Sequence, residues 1–249
     1  MSERDRAEEA LEALHAHANE PHENRIGQRL NWLRAGVLGA NDGIVSTAGV
    51  VIGVAAATPN NVVAIATAGV AALVAGAFSM AGGEYVSVST QRDTEKALIA
   101  KEIRELEEQP EEELRELAQL YEARGLSPEL AHRVAVELTE RDALAAHAEV
   151  ELGIDPSEYT SPWVAAYSSF LAFTAGSLIP LIMILLPLDD NRMWVAALAV
   201  VIGLFLTGWI SAALGGAPRW RAIVRNVVMG SATMIATYLI GLLFGVAIG

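Results

Sequence analysis

The feature that most constrains this chain is an apolar run from Ala35 to Ala57 that carries an amide and a carboxylate, Asn41-Asp42, in its interior. A stretch of that length crosses a bilayer as a helix. At ~1.5 Å per residue, the eight steps from the last charge before it, Arg34, put Asp42 roughly 12 Å along the helix. A carboxylate at that depth costs on the order of 3 kcal/mol or more, so it normally faces a bundle interior or a wet cavity and marks an ion or proton path. Glycines at 36, 39, 43, 49 and 53 give the helix small faces, and the four-residue spacing within Gly39/Gly43 and Gly49/Gly53 lets a neighbouring helix approach closely.

The rest of the chain repeats the pattern of apolar runs between blocks of charge. A content of 53% hydrophobic residues also fits a soluble domain; the distribution points to a membrane protein. A second span runs from about Val62 to Ser89, after the turn Thr58-Pro-Asn-Asn61. A third runs from Pro162 to about Leu188 and contains Pro180. The fourth covers Met193 to Leu214 and the fifth Ile223 to Ile248. The expected fold is all-α and polytopic: an N-terminal segment (1–33), two transmembrane helices (34–90), a hydrophilic three-helix insert (91–160) and three further transmembrane helices (161–249). Within the N-terminal segment, Ser2 to His17 reads as a short amphipathic helix broken by Pro21. His15, His17 and His22, beside Glu20 and Glu23, either ligate metal or stay solvated. No cleavable signal peptide is visible, so the first span is expected to act as its own insertion signal.

Arg25, Arg29, Arg34, Arg92, Lys96, Arg219, Arg221 and Arg225 fall on one side of the five spans, while the two opposite loops hold only Arg192. The positive-inside rule then puts the N-terminus and the insert in the cytosol and the C-terminus outside, with a bacterial-type plasma membrane as the default location. A net charge of −13 argues against a nucleic-acid partner. Cysteine is absent, which removes disulfides, thiolate metal sites and cysteine nucleophiles. No phosphate-binding glycine loop, nucleophile elbow or His-Glu-x-x-His pattern appears, so no enzyme is expected.

Two groups of residues carry the chemistry. Counted inward from Arg92, Glu84 lies ~12 Å deep and Met80 ~18 Å, which gives Glu84 and Asp42 the same depth on adjacent antiparallel helices and makes one shared site the expectation. A thioether among carboxylates favours softer transition ions over Mg²⁺ or Ca²⁺. In the insert, where 19 Asp/Glu against 8 Lys/Arg leave a net charge of −11, Glu102 and Glu105 precede Pro110, and Glu113 and Glu116 follow it. On a helix, residues three apart share a face, and the proline break lets the two pairs turn toward each other. His147 and Glu151, four apart, can add imidazole and carboxylate. Oxygen-rich clusters of this kind bind divalent cations, although a glutamate-rich helix is equally an ordinary solvated face.

Leu38-Gly-Ala-Asn-Asp-Gly-Ile-Val-Ser46 and Met80-Ala-Gly-Gly-Glu-Tyr-Val-Ser-Val-Ser89, followed by Gln91-Arg-Asp93, resemble the vacuolar iron transporter family. Gly176-Ser-Leu-Ile-Pro180 and the glycine-bearing last span also fit, so the likeness covers the chain from about residue 25 onward. The resemblance implies a homodimer that exports Fe²⁺, and often Mn²⁺ or other divalent ions such as Zn²⁺ and Co²⁺, from the cytosol in exchange for protons. It implies Asp42 and Met80 in the transport path, with Asn41 and Glu84 in the same motifs. It also implies Glu102, Glu105, Glu113, Glu116 and Glu151 as metal ligands of a cytosolic domain. Where plant members have two adjacent methionines before this Glu-Leu-Gly, this chain has His147-Ala148, so His147 is expected to substitute. The rivals are an exporter of another cation with the insert as sensor, and a non-transporting scaffold whose charged insert docks a basic partner.

Overall fold

Long proline-free stretches of alanine, valine, leucine and isoleucine propagate helix until something stops them, and here the stops are few. The computed structural model describes residues 23–154, 160–188 and 191–248, and among these it contains seven α-helices and no strand. They are α1 (Glu23–Ala57), α2 (Val62–Glu108), α3 (Pro110–Ala123), α4 (Pro128–His147), α5 (Pro162–Leu185), α6 (Arg192–Leu214) and α7 (Arg219–Ile248), with a single π-helical turn, Ala148–Leu152, running on from α4. Proline opens α3, α4 and α5, the first-turn position where its missing N–H leaves no bond unmade. Five of the seven helices are long and apolar enough to cross a membrane, so the chain is an all-α polytopic membrane protein. Ser2 to His17, with His15, His17 and His22, lies outside the described residues.

α2 is the longest element. Asn61 caps its start by accepting a hydrogen bond from the Ala64 N–H at 3.0 Å, and no proline follows until Pro110. Its 47 residues reach ~70 Å, so one helix spans the bilayer and then forms the first helix of the insert. α3 and α4 fold back on its far end around Leu117, Ala118, Ala135 and Ala146.

Glycine lets the spans meet backbone to backbone. A Cβ on Gly43 would run into the Phe173 carbonyl, one on Gly176 into that of Ala40, and one on Gly241 into that of Gly53. Gly36 faces Ser168 and Gly43 faces Ser177, so α1 and α5 run side by side in the same direction, and the Ser177 hydroxyl donates to the Gly43 carbonyl at 3.2 Å. The apolar core behind this seam includes Ile44, Val51, Ile65, Ile184, Val200 and Leu204. Pro180 sits within α5 and is fully buried; neighbouring helices, not lipid, surround the break it makes in the backbone ladder.

Candidate metal centre

The residues brought together most closely lie in the insert. α4 bends at Asp142, whose extended backbone (φ −166°, ψ 94°) interrupts the helix. The Asp142 carboxylate accepts the Ala145 N–H at 2.9 Å, an N-cap that starts a new short helix. The new segment turns Ala146, His147 and Ala148 into the interior. The π turn follows and closes on Gly153 at φ 63°, and Arg124 ties it down by donating to the Val150 carbonyl at 2.9 Å. π turns of this kind are frequent at functional sites.

His147 is fully buried and faces three carboxylates. Its Nδ1 lies 3.0 Å from Glu102 Oε1, 3.7 Å from Glu113 Oε2 and 3.8 Å from Glu151 Oε2. Glu102 and Glu113 are buried as well, and Glu151 closes the site at the surface. Ligand atoms from Glu102, His147 and Glu151 all fall within 4.8 Å of one another, close enough to share an ion. Both His147 nitrogens and Glu102 Oε1 are buried without a hydrogen bond, and unpartnered buried polar atoms are costly unless something satisfies them.

The electrostatics agree with that geometry. Burial, followed by the charges of Glu151, Glu113 and Glu105, pushes the Glu102 carboxyl up to about 7. Burial, followed by Glu116 and Glu105, raises Glu113 too. Burial lowers His147 despite the carboxylates around it; the 3.0 Å approach is therefore that of a neutral imidazole to a carboxyl that readily holds a proton. A cation entering here would meet a neutral imidazole and would displace that proton.

The other two glutamates of the expected set stand at the edge. Glu105 is half-buried and ion-pairs with Lys101, one turn back on the same helix. Glu116 is exposed and acts on Glu113 and His147 through its charge. Glu102, Glu113, Glu151 and His147 converge, while Glu105 and Glu116 stand at the edge of the group.

The residues inside the membrane are placed differently. Glu84 is buried, with Oε2 3.6 Å from the Arg34 guanidinium. That partner escaped the sequence reading, which used Arg34 only as a boundary. Met80 is half-buried one turn deeper. Asp42 is half-buried, and its carboxylate has no hydrogen bond or ion pair among the described residues. Asn41 lines a cavity between α1, α6 and α7.

The matched depth of Asp42 and Glu84 is not what the structure shows. A Cβ on Gly69 would touch Val51, the Phe173 ring covers Gly76 while its backbone covers Gly43, and Arg34 reaches Glu84. These pairs set α1 against α2 in a register that puts Asp42 level with Ala77 and Glu84 level with Gly36, roughly 10 Å apart along the axis. The count inward from Arg92 went astray because α2 continues straight into the insert, so Arg92 lies beyond the level at which Arg34 begins the first span.

A five-span α-helical bundle with acids inside its spans and a buried carboxylate–imidazole cluster beyond one face defines a membrane protein built to handle cations. The chain matches the VIT family over residues 33–242 and belongs to it. It is 42% identical to a vacuolar iron transporter of Acanthamoeba castellanii, over 90% of this chain and 82% of the relative. It is 34% identical to vacuolar iron transporter homolog 2 of Arabidopsis thaliana, over 85% and 83% of the two chains. With vacuolar iron transporter homolog 1 of Oryza sativa the identity is 38%, over 87% and 75%.

Proposed function

We propose that this chain exports divalent transition metal, Fe²⁺ first and Mn²⁺ or similar ions with it, out of the cytosol in exchange for protons. The observation that carries the reading is the cluster of Glu102, Glu113, His147 and Glu151, in which Glu102 Oε1 and both His147 nitrogens are buried without a hydrogen bond. In this reading the cluster captures the ion on the cytosolic side, the side to which the positive-inside rule would assign an insert flanked by Lys/Arg-rich segments. The ion then passes to the level of Glu84 and Met80, and deeper to Asp42. Metal and proton compete for the same carboxylates, since burial favours the protonated form and a bound cation the ionised one. That competition couples the two fluxes. The relatives' names say vacuolar and lend nothing to a plasma-membrane location, so the proposal is limited to export from the cytosol.

The working unit is proposed to be a homodimer. α2 leaves Gly82 and Gly83 with nothing within 4 Å of where a Cβ would stand, which gives a second copy room to approach beside Met80 and Glu84.

A second reading treats the cluster as a sensor. Glu102 and Glu84 stand eighteen residues apart on one unbroken helix, or ~27 Å, a separation that suits signalling along a rigid rod as well as delivery. Metal-dependent proton flux in sealed proteoliposomes tests both. Asp42→Ala is expected to abolish the flux, and full retention would remove the antiport mechanism. If Glu102→Gln raises the metal concentration needed for half-maximal flux without changing its maximum, delivery is favoured; loss of the maximum favours sensing.

A further inference from the structure

We infer that the cavity between α1, α6 and α7 binds the phosphate headgroup of an anionic membrane lipid. The cavity holds about 460 Å³, and its polar lining is Arg34, Asn41, Ser211, Arg225 and Asn226. No carboxylate lines it, although the chain carries 30 acids against 17 lysines and arginines. Among the described residues Arg225 pairs with no carboxylate. Two guanidiniums at one opening form a recognition element for phosphate, which accepts their paired donors.

Local backbone chemistry adds to this. Ala217 and Ala222, which also line the cavity, flank the start of α7, a helix of 30 residues, whose N-terminal end carries partial positive charge. The opposing C-terminal end of α6 is already satisfied: the Ser211 carbonyl accepts from Gly215 N–H and the Ala212 carbonyl from Ala217 N–H, both at 3.0 Å. At the inner end, Asn41 Oδ1 is buried without a partner, and an amide so placed can turn its NH₂ toward an anion.

The lipid, not a soluble anion, is the occupant the surroundings favour. The remaining wall is apolar, and Leu38 on it is 47% exposed. On the same two helices, α6 and α7, Arg219 stacks over the Trp209 ring at 5.7 Å and Trp220 is 72% exposed, an arrangement typical of the headgroup level. Basic pockets between transmembrane helices at this level hold anionic headgroups. A soluble phosphate would also have to approach a chain of net charge −13, whereas a lipid arrives sideways, in the plane of the bilayer. Arg34 faces both this cavity and Glu84. A bound phosphate therefore competes for the guanidinium and loosens its hold on Glu84; this consequence rests on the transport reading, and the binding itself does not.

Native mass spectrometry of the full chain in detergent tests the site, with phosphatidylglycerol, phosphatidylcholine and inorganic phosphate as probes. Phosphatidylglycerol is expected to bind more tightly than phosphatidylcholine, and Arg225→Gln and Arg34→Gln each to weaken it about fivefold. Because Arg34 also holds Glu84, the exposed Arg225 variant decides, with helicity and monodispersity checked alongside. Equal binding of the two lipids would overturn the proposal, as would an Arg225→Gln variant that keeps wild-type affinity. Displacement of the lipid by millimolar inorganic phosphate, with the same sensitivity to Arg225, would overturn the lipid assignment and leave a soluble-anion site.

Discussion

In the membrane bundle, helices meet through glycines and the acids stand singly: among the described residues, buried Glu84 lies beside one arginine and half-buried Asp42 beside no charged partner. In the insert, α3 and α4 close over the end of α2 around a few small apolar side chains, and three ionisable groups share that same interior. The two regions are therefore stabilised by different means. Lipid offers helices little hydrophobic reason to associate, so the bundle depends on close backbone approach. The insert has water outside it and a hydrophobic core, but it also buries Glu102 and Glu113, and each ionised carboxylate opposes folding. A cation among them would remove that opposition. The contrast makes bundle stability a matter of packing and insert stability a matter of what is bound.

The largest effects should come from the glycine seam. Gly43→Val and Gly176→Val both drive a side chain into a neighbouring carbonyl, and overpacking against backbone costs about 3 kcal/mol or more. Size-exclusion profiles and unfolding in detergent are expected to show little folded protein for either. Gly36→Ala, whose Cβ would meet only the Ser168 hydroxyl at an ordinary 3.5 Å, should stay within about 0.5 kcal/mol of wild type. Comparable stability of Gly43→Val and Gly36→Ala would break the packing half of the comparison.

The insert should respond to ligand. Mn²⁺ at about a hundred times its dissociation constant is expected to stabilise the insert by about 2.7 kcal/mol, read from hydrogen-exchange protection of α3 and α4 in the full chain. Glu102→Gln or His147→Gln should remove most of that gain, and equal protection in either variant would place the ion elsewhere. Without metal, the pH dependence has a definite sign. Folded Glu102 keeps a proton up to about 7, against 4.5 ordinarily, and Glu113 is shifted the same way. Between those values the folded state holds protons that the unfolded chain has released, so stability falls as pH rises through the interval. His147 opposes this, because its lowered value means the unfolded chain takes up a proton first in acid, and a His147→Gln background removes that opposition. Opening free energies, corrected for intrinsic exchange, are expected to decline from pH 5 to 7, and Glu102→Gln to flatten the decline.

What could be read from the sequence divides along the same line. The spans were legible because apolar runs longer than a bilayer is thick have few other fates; α2 runs on into the insert because no proline interrupts Val62 to Glu108. Helical spacing on either side of Pro110 singled out Glu102 and Glu113, and a four-residue step singled out His147 and Glu151. The register of α1 on α2 was not legible, because it depends on Gly69, Gly76 and Phe173 as contact points and not on where charges lie. Glu105 was drawn off by Lys101, a pairing that competes locally with any shared site. The cavity at Asn41 needs residues from α6 and α7, far away in sequence.

The smallest predicted effect concerns how the insert aims its imidazole. Asp142 is exposed and touches no member of the cluster, yet its extended backbone resets the phase of the helix that carries His147 and Glu151. If α4 ran straight through this position, each later side chain would turn about 100° around the axis, and His147 would leave the carboxylates it now faces. Asp142→Ala removes the cap on Ala145 N–H and should cost about 1 kcal/mol, less than any seam or ligand effect. Asp142→Asn keeps the acceptor and should cost little. Because misplaced supporting groups typically weaken metal sites about 10- to 100-fold, Mn²⁺ affinity should fall in Asp142→Ala and recover in Asp142→Asn. Equal affinities in the two variants would mean that packing of Ala146 and Ala148 alone orients His147, and that the insert, like the bundle, builds its site from shape.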